Sequence, residues 1–254
     1  MNTLIIGYGI VGHNLQKELI RLKPDIYDKY KLEFNTKRNI KYDFAFICVD
    51  TPYIDESNMC DLSQVEAALR ENKADVFVIK STILPGTTDY LREQFKKHIV
   101  FSPEYYGDTQ HCNNFEFNFT ILGGEKEDCL KVQQLLQHCY DGTHTFRIVD
   151  SKTAELAKYM ENSWLATKVS FCNQFFDIAN ELNVNYEELR ELFILDPRVN
   201  PSHTFVYRDK PYWDSHCLNK DVRAISGLVF NNELLEFIIK YNKSRKDAKL
   251  NDSD

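Results

Sequence analysis

Long hydrophobic runs, paired cysteines and an excess of basic charge are all missing from this 254-residue chain. No stretch comes near the roughly 18 uninterrupted apolar residues that a membrane span requires, which argues against a helical membrane protein. The apolar start MNTLIIGYGIVGHNL has no basic leader or small-residue cleavage site, and glycines interrupt it, so it does not read as a signal peptide. Lys and Arg number 31 against 38 Asp and Glu, a net charge of −7. That mildly acidic balance speaks against a dedicated nucleic-acid binder. The seven cysteines are scattered from Cys48 to Cys217 without a CxxC pair, which suggests reduced thiols in a cytoplasmic protein. His111–Cys112 and His138–Cys139 are adjacent pairs without further partners, so no zinc spacing is present and no metal is expected. A GxSxG elbow and a Walker loop are absent too.

What is present alternates. TLIIG (3–7), PDIYD (24–28), DFAFICV (43–49), DVFVIK (75–80) and HIVFSP (98–103) read as strands. IVGHNLQKELIRL (10–22), SQVEAALREN (63–72) and TTDYLREQFKK (87–97) place apolar residues at helical spacing. FNFTILGG (117–124) reads as a sixth strand, followed by a helix over 126–139 and a strand near 143–149. Strands that alternate with helices predict a Rossmann-like α/β domain over 1–149, a parallel sheet with helices on both faces.

From Asp150 the pattern changes. Ser151 to Val184 contains no Gly or Pro and repeats apolar residues every three or four positions. It reads as one long helix opened by Asp150 or Ser151. Further helices are expected over 185–194, 219–229 and 231–242, giving an all-α domain over 150–242 built on the long helix. The charged tail 243–254 is expected to be disordered. The aromatic residues Trp164, Phe171, Phe175 and Phe176 give the long helix a face with few partners in so short a domain. A homodimer through the 150–183 helix is therefore expected.

Gly7, Gly9 and Gly12 form GxGxxG directly after a strand and at the start of a helix. This is the arrangement in which a tight turn, a close backbone approach and the first helical residues, Ile10 and Val11, meet a pyrophosphate. Asp28 ends the second strand, where an acidic residue binds ribose hydroxyls and repels a 2′-phosphate. Lys29 beside it tempers that preference, and NAD remains the expected cofactor.

Six segments, in order, resemble one family, the UDP-glucose/GDP-mannose dehydrogenases. ICVDTP (47–52) is similar to its CVPTP strand end, and IKSTILPGTT (79–88) to its K-S-T-V-x-P-G-T-T loop. SPEYYGD (102–108) resembles N-P-E-F-x-x-E, and residues 155–174 resemble E-x-x-K-Y-x-x-N-x-x-L-A-x-K-I-S-x-x-N-E. LDPRV (195–199) is similar to D-x-R-I, and HCLNKD (216–221) to G-G-x-C-L-P-K-D. The chain departs from the pattern in two ways. It stops before the family's third, nucleotide-holding domain, and it carries Asp214, Ser215 and Asn219 where Gly, Gly and Pro are usual.

The resemblance implies NAD-dependent oxidation of the C6 alcohol of a nucleotide sugar, or of a smaller sugar derivative, to a carboxylate. Cys217 matches the nucleophile, which traps the intermediate aldehyde as a thiohemiacetal and then a thioester. Lys220, His216 and the following helix start are near enough in sequence to activate its thiol. Lys158 and Asn162, four apart on one helix face, would stabilise the oxyanion, and both with Lys220 would meet substrate. Asp221 would activate water for thioester hydrolysis, with Thr82 and Asp108 or Glu104 positioning a water for proton transfer. Thr51 and Thr82 fit cofactor-contacting positions at strand ends, and Arg198 resembles an arginine that reaches the partner subunit's site. The active site is expected between the two domains. Two alternatives stay open: a β-hydroxyacid dehydrogenase, against which C-L-x-K-D speaks, and a shortened relative that binds NAD or a partner chain without turnover.

Overall fold

The computed structural model describes residues 1–35, 40–106 and 117–251, and it divides into two compact units, one up to Lys158 and one from Tyr159. In the first unit, strands β1 (Thr3–Ile6), β2 (Asp25–Tyr27), β3 (Tyr42–Ile47), β6 (Ala74–Ile79), β7 (Ile99–Phe101), β8 (Phe119–Gly123) and β9 (Thr145–Val149) build one sheet. Their spatial order is β2-β1-β3-β6-β7-β8-β9. A small hairpin, β4 (Tyr53–Ile54) and β5 (Met59–Cys60), stands apart.

Alternation along each strand sorts side chains to two faces. Leu4 and Ile6 join one core with Val65, Leu69 and Leu91 of helices α2 (Ser63–Glu71) and α3 (Thr87–Phe95). Ile5 joins the other with Leu15 of α1 (Ile10–Glu18) and with Val132 and Leu135 of α4 (Lys126–Leu136). Strands covered on both sides read as continuous apolar runs, which is why DFAFICV and DVFVIK are so plain in the sequence. The expected Rossmann-like sheet with helices on both faces is what the chain forms.

Three expectations are corrected. The sheet is mostly parallel, but β7 and β8 run antiparallel, with Phe101 opposite Gly123. The helix read over 10–22 stops at Glu18; Ile20–Leu22 is a tighter 3₁₀ turn that ends on a left-handed Lys23. The helix read over 126–139 ends at Leu136.

Chain order places β2 and β3 on opposite sides of β1, so the sheet reverses its winding there. The carboxyl ends meet at Gly7, whose N–H donates to Tyr27 O (2.9 Å), and at Cys48, whose N–H donates to Ile6 O (2.7 Å). A crevice outside such a reversal is where ligands bind in open α/β sheets.

Helix α5 (Ser151–Glu181) begins in the first unit. Asp150 caps it, accepting from Thr153 N (2.9 Å) and from Thr153 Oγ1 (2.6 Å), while Ser151 Oγ donates to Asp89 Oδ1 (2.8 Å). One turn on, the fully buried Glu155 accepts from Gly86 N (2.5 Å), Thr88 N (2.8 Å) and Thr88 Oγ1 (2.6 Å). A carboxylate thus closes the amino end of α3, where open N–H groups and the helix dipole favour negative charge.

The second unit is helical: the rest of α5, α6 (Tyr186–Phe193), α7 (His216–Leu228) and α8 (Glu233–Asn251). Ala166, Trp213, Leu218, Val222 and Ile238 form one core, and Cys172, Ala179 and Tyr186 another. Trp213 Nε1 donates to Ser170 Oγ (3.0 Å), and Asn242 holds both the N–H (2.8 Å) and the carbonyl (2.9 Å) of Trp213. The tail expected to be disordered from Lys243 instead continues α8 to Asn251. Its basic residues find partners: Arg245 binds Asp177 and Pro211 O (2.7 Å), and Lys246 binds Asp214 (3.0 Å). Residues 252–254 lie outside the described residues. Phe176, expected on the open face of α5, turns inward onto Tyr186 (5.6 Å between ring centroids), while Trp164, Phe171 and Phe175 stay exposed.

Burial pushes the Glu155 carboxyl up from its ordinary 4.5, with the Thr88 and Gly86 bonds pulling against it. A carboxyl harder to ionise folded than unfolded contributes most below its unfolded pKa, and the contribution fades as pH rises through the folded value. The melting-temperature margin of the wild type over Glu155→Gln should therefore shrink as pH rises from about 4.5. A margin that grows with pH would mean that bonds to the ionised form outweigh burial.

Candidate active site

The first unit assembles the dinucleotide end. Gly7 has φ +89°, and a Cβ there would lie 2.6 Å from Cys48 O. A Cβ on Gly12 would lie 2.1 Å from Gly7 O, so the first turn of α1 packs directly on the loop. Around Gly9 nothing lies within 4 Å of where a Cβ would be, and no side chain caps α1. Two glycines are demanded by close packing, and the third faces open space beside the N–H groups of Ile10 and Val11. That cradle suits a pyrophosphate, so these residues fit the NAD expected of the motif.

Asp28 is no solvated strand end. It is buried, and its carboxylate accepts from Tyr8 N (2.7 Å), Tyr30 N (2.8 Å) and Lys31 N (3.2 Å). Of about four lone-pair sites on a carboxylate, three hold backbone. Ribose recognition by Asp28 must use the remainder. Lys29 lies over the Tyr30 ring (5.8 Å), and Lys31 Nζ donates to Tyr8 O in the glycine turn.

Thr51 and Thr82 meet at the ends of β3 and β6, where Thr51 Oγ1 donates to Thr82 O (2.7 Å). Glu104 is buried and accepts from Tyr106 N (2.7 Å). Lys158 is 5% exposed, with its Nζ 4.6 Å from the centre of the Tyr105 ring. Asp108 lies outside the described residues.

Two residues carry weight that the sequence reading did not assign them. Lys80 is buried, donates to Ser102 Oγ and Pro103 O (3.3 Å each), and is pushed down from 10.5 chiefly by burial. It bolts the segment that carries Glu104. The signal was available: a lysine ending the apolar run DVFVIK has its amine where an ammonium is costly. Glu18 on α1 accepts from Tyr140 OH (2.6 Å) and bonds Tyr106, tying the same segment to the dinucleotide helix.

The second unit assembles the thiol end. Ser215 caps α7 by accepting from Leu218 N (3.2 Å), which puts Cys217 in the first helical turn. Lys220 and Asp221 follow at i+3 and i+4, on the same face. Asp221 has no exposure at all; its Oδ2 accepts from Asn162 Nδ2 (2.5 Å), and Lys220 Nζ sits 2.6 Å from Oδ1 as a charge contact at poor hydrogen-bonding angle. Asn162, Lys220 and Asp221 are thus brought together, with Cys217 one turn away and exposed. Asp214 and Asn219, the residues that depart from the family pattern, bond each other (2.7 Å), and Lys246 also holds Asp214. Burial raises the Asp214 carboxyl, but these bonds outweigh it and hold the group low. Arg198 is not drawn into this cluster: its exposed guanidinium is taken up by Asp196 (Nε to Oδ1, 3.0 Å). Among the described residues no three His, Cys, Asp or Glu side chains gather as a metal site, and no helix is long and apolar enough to cross a membrane.

The chain matches the profile of the UDP-glucose/GDP-mannose dehydrogenase family, NAD binding domain, over residues 10–143 and that of the central domain over 152–244. It belongs to that family, as the six motifs imply, and NAD is the cofactor of the matched domain. A UDP-N-acetyl-D-mannosamine dehydrogenase of Methanocaldococcus jannaschii is 30% identical over 242 residues, covering 90% of this chain and 55% of that protein. A UDP-glucose 6-dehydrogenase of Rickettsia prowazekii is 29% identical over 285 residues, covering 96% and 64%. The chain thus spans between about half and two-thirds of these relatives. The solved structure of a UDP-glucose dehydrogenase from Pyrobaculum islandicum superposes with a TM-score of 0.76 at 21% identity, covering 96% of this chain and 68% of that one. That of a UDP-D-ManNAc dehydrogenase from Pyrococcus horikoshii gives 0.78 at 22%, with the same coverage. These two likenesses establish the fold.

The cysteines differ sharply in environment. Burial pushes Cys48 and Cys129 to about 12, and raises Cys139 and Cys172. Cys217 is the exposed thiol among the described cysteines. Brief iodoacetamide treatment at pH 8, read by peptide mass spectrometry, should alkylate Cys217 orders of magnitude faster than Cys48 or Cys129. Comparable rates would mean that the thiol of α7 is not accessible in solution.

Proposed function

We propose that the chain oxidises the C6 primary alcohol of a nucleotide sugar, UDP-glucose or a close analogue, to a uronic acid in two NAD-dependent steps through a Cys217 thioester. The observation that carries this reading is an exposed thiol in the first turn of α7, with Lys220 and the buried Asn162–Asp221 pair one turn further along. What bound NAD supplies is a hydride acceptor, used once in each oxidation.

The alcohol gives its proton through a water positioned by Thr82 and Glu104 or Asp108, and its hydride departs to leave an aldehyde. Cys217 thiolate adds to the aldehyde carbon, forming a C–S bond and an alkoxide that Lys158 and Asn162 stabilise. Loss of the second hydride from that carbon leaves a thioester. Water then adds to the thioester carbonyl with Asp221 assisting its deprotonation, the C–S bond breaks, and thiolate and carboxylate separate. Lys220 and Arg198 serve the substrate. Gly7, Gly9, Gly12, Asp28, Lys29 and Thr51 serve the cofactor. A nucleophilic thiolate requires a reducing compartment, which favours the cytoplasm.

Relatives named for UDP-glucose and for UDP-N-acetyl-D-mannosamine leave two sugars to compare. With NAD and each sugar nucleotide, the wild type should form two NADH per sugar oxidised. Cys217→Ser should lose the second oxidation, a fall in uronate formation of at least about a hundredfold. Tight NAD binding without turnover on any sugar would replace this reading with that of a non-catalytic relative that binds NAD.

The exposed face of α5, with Met160 and Trp164 at 75% and 59%, supports pairing with a second copy. Sedimentation should give a dimer that Trp164→Arg weakens by about tenfold or more. A monomeric wild type would rule pairing out.

A further inference from the structure

We propose that the ribose end of the dinucleotide cradle admits a 2′-phosphate, so that the chain binds NADP beside NAD, with Lys29 and Lys31 as the residues that decide it. The inference rests on the cradle of the first unit and not on the sugar chemistry proposed above.

An acidic residue at the end of the second strand selects NAD by holding the ribose hydroxyls and repelling a 2′-phosphate. Asp28 stands at that place, but its carboxylate is already engaged. Oδ2 accepts from Tyr8 N, and Oδ1 accepts from both Tyr30 N and Lys31 N. Three N–H dipoles face the charge from within the protein, so less of it is directed outward at the ribose.

Two ammonium groups share this corner. Lys31 Nζ donates to Tyr8 O and stands 5.2 Å from the centre of the Tyr8 ring. Tyr8 lies between Gly7 and Gly9, and its N–H is the one held by Asp28. The Lys31 charge is thus placed where the pyrophosphate turn and the ribose carboxylate meet. One of its three donors is spent on Tyr8 O, which leaves two. The Tyr8 ring is braced edge-on by Phe34 (4.7 Å between centroids) and by His13 (5.4 Å).

The turn that presents both lysines is built, not loose. Asp28 N–H donates to Phe34 O (3.1 Å), Phe34 N–H to Lys31 O (2.9 Å), and Asn35 Nδ2 to Lys29 O (3.0 Å). Both lysines are exposed, and so is Glu33 on the 3₁₀ turn Leu32–Phe34. Against Asp28 and Glu33 a single lysine would leave this stretch negative. Lys29 and Lys31 together bring it to balance, which removes the net repulsion by which a 2′-phosphate is ordinarily refused.

Isothermal titration of the chain with NAD and with NADP tests this without any sugar. NADP should bind within about tenfold of NAD at low ionic strength, and added salt should weaken NADP more than NAD. Lys29→Ala and Lys31→Ala should each lower NADP affinity about threefold or more, and the double variant further, while NAD stays within about twofold. Lys31→Arg, which keeps the charge, should retain NADP binding.

A wild-type preference for NAD well beyond tenfold would overturn the proposal. So would NADP binding that the double variant leaves unchanged. A chain that binds both cofactors through these lysines but oxidises no sugar would uphold the inference while removing the proposed function. One that oxidises sugar nucleotides with NAD and does not bind NADP would do the reverse.

Discussion

A carboxylate with no exposure to water must find a partner for each oxygen or not be ionised at all. Asp221 takes a hydrogen bond from Asn162 on one oxygen and sets the other, which accepts no hydrogen bond, against the Lys220 charge. Much of the second unit follows from that requirement. The bond to Asn162 ties α7 to α5, so the turn that begins at Ser215 has a set position relative to the long helix. Trp213, just before that turn, is locked by Ser170 of α5 and Asn242 of α8. Cys217 is thereby presented on a rigid helix start, not on a loose loop. The nucleophilic role proposed for Cys217 would gain from that, because a small misplacement at a reacting atom costs large factors in rate.

The first unit obeys the same constraint with different partners. Lys80, Glu104, Glu155 and Lys158 are all buried around strand ends and the first turns of α5. The printed contacts differ in kind: Lys80 meets a hydroxyl and a carbonyl, Glu104 an N–H, Glu155 the open amino end of α3, and Lys158 lies by an aromatic face. Replacing buried ionic groups by apolar ones is often neutral or stabilising, so a cluster of them is poorly explained by stability alone. Buried ionisable groups gathered at the carboxyl ends of a mostly parallel sheet are a mark of chemistry.

How much of this was legible in the sequence depended on whether the signal was local. GxGxxG after a strand is local, and the structure puts the three glycines where packing forbids a side chain at two and leaves the third open. The long helix was legible because nothing from Ser151 to Val184 breaks it, whereas a start at 219 left Cys217 ahead of α7, which the structure begins at His216. The misses were non-local. A charged tail looks unable to fold until Asp177 and Asp214, distant in sequence, supply partners for Arg245 and Lys246. Phe176 shares a stripe with Phe175 on paper, but one residue is a rotation of about 100° about the axis, enough to turn it onto Tyr186. At Asp28 the loop's own N–H groups share the carboxylate that the motif assigns to ribose, a local demand that the motif does not spell out.

The departures around the thiol take on a physical sense from the same non-local bonds. Glycines before a helix leave the backbone free and the cap to chance. Here Ser215 caps α7 itself, and Asp214 is tied at once to Asn219 and to Lys246 of α8. Side-chain hydrogen bonds do the work that backbone freedom does elsewhere, and they anchor the turn to the helix that closes the described chain. The loop has therefore exchanged adaptability for rigidity. Rigidity holds Cys217 in register with Lys220 and Asp221, while the side chains of Asp214 and Ser215 occupy room that glycines would leave for a ligand.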